Sequence, residues 1–90
     1  MIEVHIIISG MVQGVFFRAS TKKIADQNNV NGWVRNCPNG TVEIILQGSD
    51  SNVQSVIEWC NKGPENANVT DVKVTKQPFS APYNDFRIMS

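Results

Sequence analysis

Apolar residues dominate the first positions of the chain and predict a β-strand from about Ile2 to Ser9. After a short segment that contains two glycines, apolar residues recur with a helical period, which predicts a helix from Arg18 to about Asn28. The stripe on the buried face of that helix consists of Phe17, Thr21, Ile24 and Asn28. It is weak, because only two of these residues are strongly apolar. The chain thus opens with a strand and a helix.

Two further strands follow the first helix and form a predicted hairpin. They span Gly32 to Asn36 and Thr41 to Gln47, with Cys37-Pro38-Asn39-Gly40 between them. Asparagine and glycine both tolerate positive φ angles, so the Asn39-Gly40 pair favours a tight turn. Pro38 restricts the turn further.

The second helix has the clearest pattern in the chain. One helical face carries apolar side chains at the i, i+3, i+4 and i+7 positions: Val53, Val56, Ile57 and Cys60. Asp50 or Ser49 can cap its first turn, and Gly63-Pro64 is predicted to end it.

The remaining pattern completes an α+β fold. Val72 and Val74 alternate with polar residues and predict a half-buried strand, and a last short strand contains Phe86 and Ile88. Two helices that each bury one stripe are accommodated by an antiparallel sheet that carries both on one face. We therefore expect residues 1–90 to form a single domain, a ferredoxin-like β-α-β-β-α-β sandwich plus a short C-terminal strand. Its first and third strands would be adjacent in the middle of the sheet.

Composition narrows the classes of partner. Eight basic and eight acidic residues give no net charge and no basic stripe, which argues against a nucleic-acid binder. The apolar stretches are too short to span a membrane. No secretory signal is visible, and the two cysteines, Cys37 and Cys60, are too few for a disulfide scaffold, so a cytoplasmic location is expected.

The segment between the first strand and the first helix predicts an anion-binding loop. Gly10 and Gly14 let the backbone turn its amides inward, where no side chain blocks a ligand. The loop leads into a helix N-terminus, whose unpaired N–H groups favour an anion, and Arg18 adds a forked cationic donor. Asn36 ends a neighbouring part of the sheet and could face the same shallow pocket.

The sequence lacks the residues that a metal site, a nucleotide P-loop or a cysteine-dependent phosphatase would require. No His, Cys and Asp cluster has the spacing of a metal site, so neither a metal nor a cofactor is expected. No Lys-Ser or Lys-Thr pair follows the glycine loop, as a nucleotide P-loop would require. No arginine follows Cys37 on its own loop, which makes Cys37 a poor candidate for a phosphatase nucleophile.

Two long segments resemble the signatures of the acylphosphatase family. They are Gly10-Met11-Val12-Gln13-Gly14-Val15-Phe16-Phe17-Arg18 and Gly32-Trp33-Val34-Arg35-Asn36-Cys37-Pro38-Asn39-Gly40-Thr41-Val42. The Gly63-Pro64 pair and the tail Asp85-Phe86-Arg87-Ile88 also look like the family. The resemblance implies a ferredoxin-like hydrolase that splits the carboxyl-phosphate bond of small acyl phosphates.

The resemblance also implies roles for particular residues. Arg18 would bind the phosphoryl group and Asn36 would orient the attacking water. The phosphate-binding loop that acts with Arg18 would comprise Met11, Val12, Gln13, Gly14, Val15, Phe16 and Phe17. A small acyl phosphate is then the expected ligand of a monomer that needs no metal or cofactor.

Two other readings of the chain are available from the same residues. The fold could serve as a non-catalytic module that senses a ligand, because ferredoxin-like sandwiches have many functions. An RNA-binding sheet is disfavoured by the neutral charge and by the lack of a basic aromatic strand motif.

Overall fold

The computed structural model describes residues 1–79 and 81–89. In this part of the chain the elements are β1 (Ile2–Met11), α1 (Phe17–Gln27), β2 (Asn31–Asn36), β3 (Val42–Gly48), α2 (Asp50–Lys62), β4 (Asn68–Gln77) and β5 (Phe86–Ile88). The order is the predicted one, and the ferredoxin-like α+β class is confirmed. No helix of the described residues is long and apolar enough to cross a membrane.

The five strands of the described residues form one sheet in the order β4-β1-β3-β2-β5. The first and third strands are neighbours in the middle, as predicted, and strands β1 to β4 pair antiparallel. Strand β5 differs, because it pairs parallel with β2 at the far edge. The chain leaves β4 at one edge, crosses the sheet and reverses direction, so β5 runs the same way as β2.

The core lies between the sheet and the two helices. Val4, Ile6 and Ile8 of β1 point to the helix face and are almost fully buried. Their ladder partners on β3 include Ile44 and Leu46, which are 0% exposed. Side chains of directly paired residues share a face in an antiparallel ladder, so the two central strands supply a continuous apolar layer.

Helix α1 differs in detail from its predicted stripe. It begins one residue earlier than expected, at Phe17, and the buried positions are Phe17, Thr21 and Ala25. Thr21 is tolerated there because its hydroxyl donates to the Phe17 carbonyl at 2.7 Å. Ile24 is only half-buried, and Asn28 follows the helix end, where its side chain donates to the Ile24 carbonyl at 2.8 Å.

Strand β1 extends two residues further than the sequence indicates. Gly10 and Met11 pair with Val69 and Asn68 of β4, after a register shift that follows Ser9. Gly10 has φ 121°, and a Cβ there would lie 2.1 Å from the Asn68 carbonyl oxygen. Its glycine is therefore required by the close approach of β4, and the loop before α1 is correspondingly shorter, spanning residues 12–16.

The sheet face away from the helices is polar and partly covered. Residues 81–85 cross it, where the Tyr83 N–H donates to the Gln47 side chain at 2.8 Å. Beside this segment, His5 and Arg35 donate to the two Glu43 carboxylate oxygens at 2.7 and 2.6 Å. The hydrogen bond from His5 is the main cause that holds the pKa of Glu43 below its ordinary value.

Candidate active site

A cavity of about 330 Å³ opens at the N-terminus of helix α1. It lies between the loop of residues 12–16, the end of β2 and strand β5. Its lining is mostly apolar and backbone, with one charged side chain, Arg18: Val12, Gly14, Phe16, Phe17, Arg18, Ala19, Asn36 and Ile88. A lone cation in such surroundings favours an anionic ligand.

The loop backbone contains two residues with left-handed conformations. Gly14 has φ 75°, and Phe16 has φ 63° and ψ 22°, both in the left-handed region. Left-handed residues beside right-handed ones turn successive N–H groups toward one side and form an anion-binding concavity. Phe16 carries a side chain in this conformation, which costs about 1–3 kcal/mol and is found mainly at functional sites.

Within residues 1–79 and 81–89, the first-turn N–H groups of α1 have no hydrogen-bond partner. Phe16 occupies the N-cap position, and its side chain makes no capping hydrogen bond. No acidic residue lies in the first turn, and the bond from the Ser20 N–H to the Phe16 carbonyl is the first of the helix. The amides of residues 17–19 therefore remain available to an external acceptor at the positive end of the helix dipole.

Arg18 is the charged component of the cavity. The residue is half-buried, and no carboxylate within the described ranges forms an ion pair with its guanidinium. Arginine is otherwise paired in this protein, since Arg35 contacts Glu43 and Arg87 contacts Asp85. A half-buried guanidinium without a carboxylate is suited to a forked interaction with phosphate oxygens.

Asn36 also lines the cavity and carries an unsatisfied polar atom. It is the last residue of β2 and pairs with Val42 of β3, whose side chain lies in the core. The Asn36 Oδ1 atom is buried and has no hydrogen-bond partner in the described residues. A buried carbonyl oxygen without a partner costs about 1–3 kcal/mol, so a water or ligand donor is expected to occupy that position.

The structure brings some of the predicted loop residues to the cavity and leaves others outside its lining. Met11 belongs to β1 and is 64% exposed, away from the cavity. The Val15 side chain packs against the core, and the Gln13 side chain donates to carbonyls of the β2–β3 turn. For these residues only main-chain contacts to a ligand at the cavity are available.

Sequence reasoning missed two lining residues. Ala19 could have been found, because it completes the first helical turn after Arg18. Ile88 could not, since it reaches the cavity through the parallel pairing of β5 with Val34 of β2. No local pattern in a three-residue strand specifies such a partner.

Cysteines and metal ligands contribute little to this site. Among the described residues, no group of three or more His, Cys, Asp or Glu side chains is placed to hold a metal ion. Cys60 lies in the core, and burial raises the pKa of its thiol to about 12, so it stays protonated. Cys37 is half-buried in the β2–β3 turn and, like Cys60, forms no disulfide.

Fold and cavity together define a small ferredoxin-like domain with an anion-binding type of cavity at a helix N-terminus. A family model described as acylphosphatase matches residues 4–88. An acylphosphatase of Syntrophus aciditrophicus is 46% identical over 89 residues, which cover 99% of this chain and 93% of that protein. An acylphosphatase of Pyrobaculum arsenaticum is 48% identical over 90 residues, which cover 99% and 95%.

The similarity extends to three dimensions. The crystal structure of acylphosphatase from Bacillus subtilis matches with a TM-score of 0.96 at 36% sequence identity, and the match covers 100% of both chains. The chain therefore belongs to the acylphosphatase family and is a hydrolase that acts on acyl phosphates. The family expected from the two signatures is confirmed.

Proposed function

We propose that this cavity is the catalytic site and that it hydrolyses small acyl phosphates. The Arg18 guanidinium and the amides of the loop and first helical turn bind the phosphoryl group. The Asn36 carboxamide orients the attacking water. The observation that carries the proposal is that Arg18 and Asn36 line one cavity at a helix start without a side-chain cap. Among the described residues, Arg18 has no carboxylate partner and the buried Asn36 Oδ1 has no hydrogen-bond partner.

The bond changes in this reaction require positioning more than acid catalysis. The water oxygen forms a bond to phosphorus while the bond from phosphorus to the acyl oxygen breaks. The carboxylate leaves with that electron pair and needs no proton at neutral pH. The proton of the water passes to a phosphoryl oxygen, so inorganic phosphate forms without a basic side chain.

The groups that line the cavity suit a reaction that depends on positioning. Fixed donors on the phosphoryl oxygens stabilise the charge that develops around phosphorus in the transition state. The Asn36 Oδ1 accepts a hydrogen bond from the water and holds its oxygen toward phosphorus, which converts a collision into an oriented attack. The apolar rim at Phe16 and Ile88, which are 78% and 44% exposed, is available to the acyl group.

The proposal places the reaction in a monomer in the cytoplasm, without a metal. Two free cysteines are in keeping with a reducing compartment. The carboxylate leaving group needs no Lewis acid to depart.

The test is an anhydride assay on purified protein with a model acyl phosphate. The parent should hydrolyse it at the same rate with and without a strong chelator. Arg18→Ala and Asn36→Ala should both be impaired, the first in substrate binding and turnover and the second mainly in turnover. Phosphate binding without turnover by the parent would instead indicate a ligand-sensing module.

A further inference from the structure

The Gln13 side chain bridges two parts of the site that are distant in the sequence. Its Nε2 atom donates to the Cys37 carbonyl at 2.8 Å and to the Thr41 carbonyl at 2.9 Å. Both hydrogens of one amide nitrogen are therefore used on the β2–β3 turn. Gln13 itself belongs to the loop of residues 12–16, whose backbone borders the cavity.

The two acceptors lie next to Asn36, on the turn side of its ladder pair. Cys37 directly follows Asn36, and Thr41 directly precedes Val42, which is the ladder partner of Asn36. The Cys37 N–H also donates to the Thr41 carbonyl at 2.8 Å. The Gln13 amide thus binds the turn end of the hairpin, one residue beyond the last ladder pair.

The Gln13 side chain provides the hydrogen bonds that connect the loop to the β2–β3 turn. In residues 1–79 and 81–89, no other hydrogen bond joins residues 12–16 to residues 36–41. The two ends of the loop are held independently, because Val12 and Phe17 are buried in the core. Loss of the bridge would leave the loop anchored while its middle and the turn lose their fixed spacing.

We propose that Gln13 is a positioning residue, which sets the distance between the phosphate-binding loop and the Asn36 carboxamide. The inference rests on the proposed function of Asn36 and deepens it. An in-line attack requires the water and the phosphoryl group to be aligned, and a misplacement of about 1 Å can cost about 10²-fold in rate. The Gln13 side chain acts through Asn36 and not by contact with the substrate.

The first test is Gln13→Met, which keeps the length of the side chain, adds no charge and removes both donors. We expect kcat to fall by about 10- to 100-fold while KM changes by less than about threefold, as for other residues that support a catalytic group. Gln54→Met on the exposed face of α2 is the matched control and should keep the parent constants. Gln13→Ala repeats the test if the Met variant does not fold, as judged by thermal unfolding.

The second test separates positioning from a general structural role. In the Asn36→Ala background, Gln13→Met should lower kcat by less than about threefold, because the group that it positions is already absent. Equal losses in both backgrounds, or a parent-like Gln13→Met with impaired Asn36→Ala, would overturn the positioning role alone. Parent-like activity of Asn36→Ala would instead overturn the proposed function on which it rests.

Discussion

The two helices of this small domain begin in opposite ways. Helix α2 starts at a serine cap, where the Ser49 hydroxyl accepts from the Asn52 N–H, and Asp50 occupies its first turn. Helix α1 starts at the left-handed residue Phe16, with no side-chain cap and no acid, and Arg18 occupies its first turn. The same fold thus contains one helix start that is satisfied internally and one that is not.

The start of α2 has features that stabilise the fold, whereas the start of α1 lacks them and is open to a ligand. A serine cap and an early acidic residue each stabilise a helix start, by roughly 1 kcal/mol and 0.3–1 kcal/mol. Helix α1 lacks both and also bears a left-handed phenylalanine. In the proposed site, a dianionic phosphoryl group would supply to α1 the acceptors and negative charge that Ser49 and Asp50 supply to α2.

The largest expected effect comes from removing the cation at the α1 start. Arg18→Ala should lower kcat/KM, with a loss of transition-state binding on the order of 3–5 kcal/mol. The reason is that a charge partner of the phosphoryl group is lost from a partly desolvated site. Steady-state assays with a model acyl phosphate measure this loss. Arg87→Ala, which removes an exposed arginine from β5, is the control and should retain parent activity.

Asn36→Ala should have the next largest effect and should fall on turnover. We expect kcat to drop by about 10²–10³-fold with little change in KM, as for other oriented polar groups that act in the transition state. Asn31→Ala at the opposite end of β2 is the matched control. An Asn36→Ala enzyme with the parent kcat would show that the water is oriented by another group.

The comparison of the helix starts can be tested by giving α1 an acid of its own. Ala19→Glu places a carboxylate in the first turn, where it should raise the free energy of unfolding by about 0.3–1 kcal/mol. The same carboxylate should repel the substrate and raise KM about tenfold, which is about 1.4 kcal/mol. Ala19→Gln has the same bulk without the charge, and an equal rise in KM for both would assign the effect to size.

The smallest effect is expected at the α2 start. Ser49→Ala should reduce the free energy of unfolding by about 1 kcal/mol through loss of the cap, with kcat and KM unchanged. Urea unfolding in phosphate-free buffer measures the first quantity. A substantial fall in kcat would contradict the view that the two helix starts have separate tasks.

The sequence specified the fold better than it specified the site boundaries. Apolar periodicity predicts both helices, and residue type predicts the end of α2 at Gly63 and a cap at Ser49 or Asp50, of which the structure has Ser49. Gly10 was interpreted as a loop residue, although β4 approaches it so closely that the strand continues through it. Close approach between distant strands leaves no local signal in the chain.

The same limit applies to contacts made by long-range pairing. Ile88 reaches the cavity because β5 crosses the sheet and pairs parallel with β2. Gln13 is predicted as a residue of the phosphate-binding loop, but the sequence gives no sign that its side chain reaches carbonyls 24 and 28 residues away. By contrast, the sequence predicts Arg18 and Asn36 as site residues because each lies within a long family signature, and both line the cavity.

The most direct test of the proposed site is a crystal structure with orthovanadate, which mimics the phosphoryl group in the transition state. We expect vanadate at the α1 N-terminus, where the Arg18 guanidinium and the amides of residues 16–19 donate hydrogen bonds to its oxygens. A water or apical oxygen should then lie within hydrogen-bond distance of Asn36 Oδ1. Vanadate bound elsewhere on the protein, with this cavity empty at saturating concentration, would contradict the assignment.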